Sequence, residues 1–339
     1  MKFECRYRVR PLLRWLSAAV LLPGLLAGCA SAGGPRYADH DLRSQGSFKI
    51  SMPAEYQEEV ENLDKLNASL GEQEEGGERI VATSVALCQI MEALDVNLVG
   101  RPITHLGKLP ERYASIKAIG MPMNPDMERI YQLKPSVVYA PDSLKDWLEE
   151  GFRKHKLPIE FVNLKSVEGL YEAVQTIGTR FHKEAQVAKL LAERDKFFAQ
   201  VESQKQKRPF KVLLLMGLPG SYVVATPNSY IGNLLELSGG QNVFSAARGQ
   251  EFINANTEAM LQQDPDIILR AVHAMPDTVQ EMFRKAFAED PIWKHFRAVK
   301  EGRVFDLNPD CFGMSALFNY QQALQDLQDI YAQAAEGGH

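Results

Sequence analysis

The fold is decided by residues 127–140, which read MERIYQLKPSVVYA. The first half of this stretch carries apolar side chains at helical spacing, and Pro135 then ends the helix because proline cannot easily continue one. The residues that follow Pro135 form a short apolar run, which is typical of a buried strand. A helix and a strand joined in this way predict one unit of an α/β fold.

A second copy of this pattern occurs at residues 257–270, which read TEAMLQQDPDIILR. Glu258 lies seven residues before Pro265, as Glu128 lies seven before Pro135. The match predicts a weak internal repeat with an offset of 130 residues, from 128 to 258. A helix that ends at a proline before a strand is, however, common in α/β proteins.

Apolar runs elsewhere extend the alternation of strands and helices. They predict strands at residues 80–82, 96–100 and 211–216, and a helix at 231–238. Thr83 and Ser84 offer N-cap hydroxyls to a helix that follows the first strand. Residues 217–220, Gly-Leu-Pro-Gly, lack the third glycine of a nucleotide-binding loop and are interpreted as a turn beside a cleft. Strand, helix and strand at this spacing favour parallel βαβ units.

One long helix is predicted between the two halves, at residues 183–208. Its apolar residues recur at helical spacing, and it closes with basic residues before Pro209, which suits a helix C-terminus. About 25 residues would span roughly 37 Å. The fold class is therefore α/β, with two βαβ lobes at 79–182 and 209–333 joined by one long backbone helix.

The amino terminus is interpreted as a targeting segment. Residues 1–28 combine a basic flank, an apolar run and small residues, as export signals do. They end in Leu-Ala-Gly before Cys29, which resembles the bacterial lipobox, where the cysteine is lipidated; a plain signal peptide or a short membrane anchor is the alternative. Residues 29–78 are expected to be a tether and an acidic linker. The mature protein would lie on the extracytoplasmic face of the cell membrane, held by a lipid anchor such as palmitate.

Composition narrows the classes of function. The chain has 339 residues, 45% hydrophobic and 24% charged, with a net charge of -5, so it lacks the basic clusters that nucleic acid binding requires. Four cysteines are too few and too scattered for a disulfide scaffold. No hydrolase, metalloprotease or nucleotide-binding motif occurs, so an enzyme is not expected.

Two loops at predicted strand ends or helix starts carry soft ligands. Residues 271–276, Ala-Val-His-Ala-Met-Pro, follow a strand, and residues 119–125, Ile-Gly-Met-Pro-Met-Asn-Pro, lead into a helix. Ligands of open α/β sheets bind at strand ends, so one imidazole and one thioether would face a cleft from different lobes. A neutral His and Met pair suits a low-spin haem iron and is a poor set for Zn, Ca or Mg.

At this point the sequence resembles a known family over residues 79–331. The resemblance is to helical-backbone periplasmic-binding-protein lipoproteins of ABC transporters, and within them to the haem-receptor lipoproteins of the iron-regulated surface determinant (Isd) uptake systems. The matching stretches are residues 119–123, 215–226, 229–232, 266–270, 273–276 and 292–296. The resemblance implies a receptor that binds haem as its transported ligand and delivers it to a membrane permease and its ATPase for iron acquisition. A haem-donor surface protein is a further implied partner.

The resemblance also implies roles for individual residues. Met123 and His273 would be the axial ligands of the haem iron. The helix start at Thr83, Ser84 and Val85 would bind the propionates, because helix N-termini favour anions.

Smaller candidates complete the expected site. Lys108 would pair with a propionate, Tyr222 would line the pocket or simply pack, and Glu128 and Glu236 would dock the permease, one from each lobe.

Some alternatives stay open. The family has glycine after the ligating histidine, where this chain has Ala274. His105 is a rival iron ligand, and Met121 is a second thioether two residues from Met123. A ferric siderophore or cobalamin receptor is the alternative within binding proteins, and an extracytoplasmic haem redox protein the alternative from another class.

Overall fold

The computed structural model describes residues 62–68, 70, 77–104, 107–204, 209–244, 249–254 and 256–336. The predicted signal, Cys29, most of the predicted tether and the rival ligand His105 lie outside the described residues.

Strands and helices alternate along most of the described chain. The strands are β1 Ile80–Ala82, β2 Gly100–Arg101, β3 Lys117–Ala118, β4 Gly120–Met121, β5 Asn124–Pro125, β6 Val137–Pro141, β7 Ile159–Val162, β8 Lys211–Leu218, β9 Ser221–Ala225, β10 Gln241–Asn242, β11 Phe252–Asn254, β12 Ile267–Val272 and β13 Val304–Asp306. The helices are α1 Leu63–Ala68, α2 Val85–Ala93, α3 Met127–Gln132, α4 Lys145–Lys154, α5 Val167–Arg180, α6 Glu184–Gln204, α7 Tyr230–Leu237, α8 Thr257–Gln262, α9 Pro276–Glu289, α10 Arg297–Lys300 and α11 Tyr320–Glu336.

The amino-terminal sheet has the order β3-β2-β1-β6-β7, and every neighbouring pair is parallel. In its centre Val81 is in register with Val138. All five residues of β6 are buried, as expected for a parallel strand that is covered on both faces. Because the strands are parallel, their carboxyl ends lie along one edge of this sheet.

The carboxy-terminal sheet is mixed, which differs from the expectation of βαβ units alone. Its main order is β11-β9-β8-β12-β13, with β10 also pairing with β8. Strands β12 and β13 are parallel to their neighbours, whereas β8 and β9 form an antiparallel hairpin and β11 pairs antiparallel with β9. The glycine-rich stretch 217–220 is thus not a free cleft turn: β8 continues to Leu218, and only Pro219 and Gly220 make the turn.

The backbone helix α6 follows the amino-terminal sheet. It runs for 21 residues, or about 31 Å at 1.5 Å per residue, somewhat shorter than expected. Its apolar residues Val187, Leu190 and Phe197 pack against a core that contains residues of both sheets, among them Tyr139 and Leu214. The fold class expected from sequence is confirmed, while the lobe limits 79–182 and 209–333 stay a prediction, because the two sheets share this core.

The internal repeat is visible in matching elements at the same offset. Helix α3 begins after the N-cap Asp126 and helix α8 after the N-cap Asn256. Lys134 and Asp264, just after these helices, both have left-handed backbones with φ of 46° and 45°. A residue before proline is biased away from the right-handed helical region, which explains why each helix stops there.

One sequence expectation about where an element begins is wrong. Residues 96–100 were expected to form a strand, but the strand β2 is only Gly100–Arg101; Val96 and Leu98 are apolar because they are buried in the core. Helix α1 lies within the expected acidic linker and buries Leu63, and the limits 29–78 of that linker stay a prediction.

Cys88 and Cys311 are both free and buried, and burial raises the pKa of the Cys88 thiol to about 12. In the part of the chain that the structure describes, no helix is long and apolar enough to span a membrane.

Acidic groups from both sheets interact where the two halves meet. Lys165 Nζ lies 2.6 Å from Asp142 Oδ2, just beyond the carboxyl ends of β7 and β6. Glu251, beside β11 of the other sheet, has a buried Oε2 with no partner among the described residues. Burial raises the pKa of Glu251 to about 7, while Lys165 acts to lower it and Asp142 to raise it.

We expect Glu251 to make the stability of the protein depend on pH. Its folded pKa lies above the ordinary value of 4.5, so its contribution is fully present below about pH 4.5 and is lost as the pH rises through about 7. Urea unfolding should show a free energy of unfolding that falls by about 2–3 kcal/mol more in wild type than in Glu251→Gln between pH 4.5 and 8. Equal pH slopes for the two proteins would contradict this.

Candidate functional site

The candidate residues of the amino-terminal half follow the carboxyl ends of parallel strands. Thr83 and Ser84 come directly after β1, and the β4–β5 hairpin that carries Met123 comes directly after β3. Since β1, β2 and β3 are parallel, these two segments lie along the same edge of the sheet. The structure therefore places a helix start and a thioether that are 40 residues apart along one edge of the sheet.

Helix α2 begins at this edge and offers donors to an anion. Ser84 is its N-cap, and its side chain accepts a hydrogen bond from Leu87 N at 3.3 Å. The first N–H groups of a helix have no partner within it, and the helix dipole favours negative charge there. Thr83 is fully buried, and its Oγ1 has no hydrogen-bond partner among the described residues. A buried hydroxyl without a partner is costly unless a ligand completes it.

Lys108 lies beside the same helix. The side chain of Gln89, on α2, donates to the backbone oxygen of Lys108 at 3.3 Å. A Cβ added at the neighbouring Gly107 would lie 3.4 Å from Cγ1 of Val85, the first residue of α2. The ammonium of Lys108 is exposed. Its position next to the helix start is compatible with the expected ion pair to a propionate.

Met123 lies at the tip of the β4–β5 hairpin. Gly120 pairs with Pro125 and Met121 with Asn124, so Pro122 and Met123 form the turn. Met123 is 40% exposed, one of few large apolar side chains with such exposure among the described residues. Met121 lies on the strand itself and is half-buried. The geometry therefore presents Met123 more openly than Met121.

His273 directly follows β12 at the carboxyl end of that strand. Its backbone N–H donates to Gly217 O at 2.9 Å, which fixes the main chain, and the side chain is half-buried. Burial lowers the pKa of the imidazole below its ordinary value, which favours the neutral form that binds a metal ion.

The turn after His273 is left-handed at two consecutive residues. Ala274 has φ of 64° and Met275 has φ of 44°, before helix α9 starts at Pro276. A left-handed backbone costs a residue with a Cβ roughly 1–2 kcal/mol. A glycine after His273, which the resemblance leads one to expect, would adopt this turn with less strain than Ala274 does.

Tyr222 lies on β9, in the carboxy-terminal sheet. Its ring centroid lies 5.7 Å from that of Phe283 and 6.3 Å from that of Trp293. These rings belong to the apolar layer between the carboxy-terminal sheet and α9. Of the two roles weighed from sequence, packing is the one that these contacts favour.

The acidic residues expected to dock a permease differ in position. Glu128 is exposed in the first turn of α3, after the N-cap Asp126. Glu236 is exposed near the end of α7, so the two do not occupy equivalent places. The equivalent of Glu128 is Glu258, exposed in the first turn of α8 after the N-cap Asn256. The 130-residue repeat was the signal that pointed to Glu258.

Two α/β sheets joined by a long helix, with candidate ligands after the strands, define the class of helical-backbone solute-binding proteins. The chain belongs to the periplasmic binding protein family, whose pattern matches residues 80–311.

Close relatives cover most of the chain. It is 38% identical over 268 residues to the high-affinity heme uptake system protein IsdE of Staphylococcus aureus, a match that spans 78% of this chain and 91% of the relative. The crystal structure of S. aureus IsdE complexed with heme aligns with a TM-score of 0.72 at 38% identity, over 76% of this chain and 99% of that one. An ABC transporter substrate-binding protein of Listeria monocytogenes EGD-e aligns with a TM-score of 0.71 at 41% identity, over 75% and 98%.

Proposed function

We propose that the protein is a haem-binding receptor of an ABC transporter, which passes haem to a membrane permease and its ATPase for iron acquisition. The observation that carries this is Met123, a thioether 40% exposed at a hairpin tip, in a chain that is 38% identical to a heme uptake protein over 78% of its length. Because Met123 is exposed, it does not pack in the core. Coordination of a haem iron would give this exposed thioether a role. The protein would bind and deliver its ligand without changing it.

Axial ligation is assigned to Met123 and His273. A haem iron that binds both a neutral imidazole and a thioether is low-spin and six-coordinate. Burial lowers the pKa of the imidazole and so supports the neutral form, and the hydrogen bond from His273 N to Gly217 O fixes the main chain at the end of β12. We propose that the strand ends that carry these residues face a common cleft, where the porphyrin faces would be buried against apolar side chains.

The propionates are assigned to the start of α2. Thr83, Ser84 and Val85 would supply hydroxyls and backbone N–H groups, and Lys108 a positive charge. The support is the buried Thr83 hydroxyl, which lacks a partner among the described residues and lies beside the first turn of a helix.

Membrane attachment and partners follow from the same proposal. Acyl chains on Cys29 would hold the mature protein at the extracytoplasmic face of the membrane. The permease would meet Glu128 and Glu258, one from each half; Glu258 replaces Glu236 in this proposal because it matches Glu128 in helix position. A haem-donor surface protein would supply the ligand.

Titration with haemin tests the proposed function. The purified chain should bind one equivalent and develop a sharp Soret band, whereas a ferric siderophore or cobalamin should not compete. Competition by either would favour a receptor for that chelate instead. No Soret change on addition of haemin would refute the haem assignment, and turnover of a small substrate by the loaded protein would indicate a redox protein.

Thr83→Val should separate haem affinity from stability. Valine has the shape of threonine without the hydroxyl, so the apoprotein should keep its free energy of unfolding or gain about 1 kcal/mol. Haem affinity should fall about tenfold, as the loss of one hydrogen bond to a charged propionate predicts. Calorimetric unfolding and haemin titration measure the two quantities.

Ser84→Ala is the contrasting variant. It removes the N-cap of α2 together with a hydroxyl assigned to the propionates, so, unlike Thr83→Val, it should lower the free energy of unfolding by about 1 kcal/mol. A Thr83→Val protein that binds haem as wild type does would remove Thr83 from the site.

A further inference from the structure

The short helix α1 packs on the outer edge of the amino-terminal sheet, beside the hairpin that carries Met123. Leu63 is 2% exposed and lies in a small apolar cluster with Ile103 and Ala118. Ile103 N donates to Gly120 O at 2.8 Å, so this cluster touches the first residue of the hairpin. The helix thus contacts the foot of the hairpin through a buried side chain.

Asn67 pairs with the edge strand β3 as a neighbouring strand would. Its Nδ2 donates to Ala118 O at 3.0 Å, and its Oδ1 accepts from Ala118 N at 2.8 Å. Lys117 Nζ donates in turn to the backbone oxygens of Asn67 and Leu70. An edge strand otherwise leaves these backbone groups open, and Ala118 is two residues before the hairpin begins. One leg of the hairpin is therefore held by α1.

The other leg is held through Arg129. Its guanidinium lies 2.8 Å from Asp126 Oδ2 and 2.7 Å from Asp64 Oδ1 of helix α1. Asp126 directly follows β5, caps α3, and donates its backbone N–H to Ile119 O at 2.7 Å. Since Asp64 is largely exposed, this ion pair is the weaker of the two contacts.

We infer that helix α1 is a positioning element for Met123: it holds both legs of the β4–β5 hairpin and so fixes where the thioether lies. The inference rests on the proposed role of Met123 as an iron ligand. Because Met123 is exposed at a two-residue tip, its side chain gains little from packing, and its location depends on the legs of the hairpin. Leu63 and Asn67 act through the hairpin and touch no ligand themselves.

Spectroscopy of the haem-loaded full chain, purified in detergent, tests the inference. Asn67→Ala removes both bonds to Ala118, and Leu63→Ala removes the buried contact with Ile103. Asn67→Ala should weaken the near-infrared charge-transfer band of methionine-ligated ferric haem and speed haem dissociation about tenfold, as the loss of two net hydrogen bonds predicts. Leu63→Ala should change the band and the dissociation rate in the same direction. Asn67→Asp, which keeps the acceptor and loses the donor, should lie between wild type and Asn67→Ala.

Lys65→Ala is the matched control, because Lys65 is an exposed residue of the same helix. It should leave the band and the dissociation rate unchanged. Wild-type spectra and rates in Asn67→Ala and Leu63→Ala would overturn the inference, even if both variants melt at lower temperature. A wild-type chain that binds no haemin would instead refute the proposed function, and with it the inference.

Discussion

His273→Ala should weaken haem binding by more than the roughly 10- to 100-fold that the loss of an outer-shell partner of a metal site costs. The imidazole is the stronger of the two assigned ligands, and burial lowers its pKa, which favours the neutral form that binds iron. Competition of the loaded variant with an apo haem-binding protein measures the change in affinity. The Soret band should broaden and shift at the same time.

Met123→Ala should have a smaller effect on affinity and a distinct electronic one. A thioether ligand raises the reduction potential of haem, so its loss should lower the midpoint potential and remove the methionine charge-transfer band. Met121→Ala is the matched control, since Met121 lies on β4 and is half-buried. Unchanged spectra in both His273→Ala and Met123→Ala would refute the ligand assignment and leave the haem-binding function standing.

Most of the fold could be predicted because its local signals agree with its packing. The helix, proline and strand at residues 127–140 appear as α3 and β6, and the second copy appears as α8 and β12. The helix ends could be predicted from Pro135 and Pro265, because each proline restricts the backbone conformation of the residue before it. The long helix was also readable, because its apolar spacing continues over many turns.

The parts that could not be predicted depend on contacts between distant residues. The hairpin of β8 and β9 has no Asn-Gly or Gly-Gly turn, so its apolar strands fit a parallel unit equally well. Helix α1 is six residues long and lies in an acidic region, and it is ordered by Leu63 and by the pairing of Asn67 with Ala118. Helices this short are not stable by propensity alone.

The candidate site was predictable in its types of ligand and less so in its geometry. Spacing placed a histidine and methionines on loops at strand ends, and the structure puts His273 after β12 and Met123 at a hairpin tip. The choice of Met123 over Met121 came from family resemblance, and exposure now favours it independently. The left-handed backbone of Ala274 could not be read from sequence, because alanine rarely adopts it.

Reversing the charge of Glu128 and Glu258 together should abolish haem uptake by cells while leaving haem binding by the purified protein unchanged. Both carboxylates are exposed in the first turns of equivalent helices, 130 residues apart, so they present a matched pair of charges from the two halves. A permease that binds this pair would offer basic groups, and two Glu→Lys changes would face like charges at a cost of several kcal/mol. The docking affinity should then fall more than about 100-fold.

Glu236→Lys is the variant that decides between the two assignments for the carboxy-terminal half. Glu236 is exposed near the end of α7, and partial burial of its carboxyl group raises the pKa of that group. We expect Glu236→Lys to keep uptake near the wild-type level and Glu258→Lys alone to reduce it strongly, with the salt dependence of docking reduced as well. Loss of uptake in Glu236→Lys, together with normal uptake in Glu258→Lys, would instead assign docking to Glu128 and Glu236. In that case the internal repeat, which makes Glu258 equivalent to Glu128, would not identify the residues that the permease contacts.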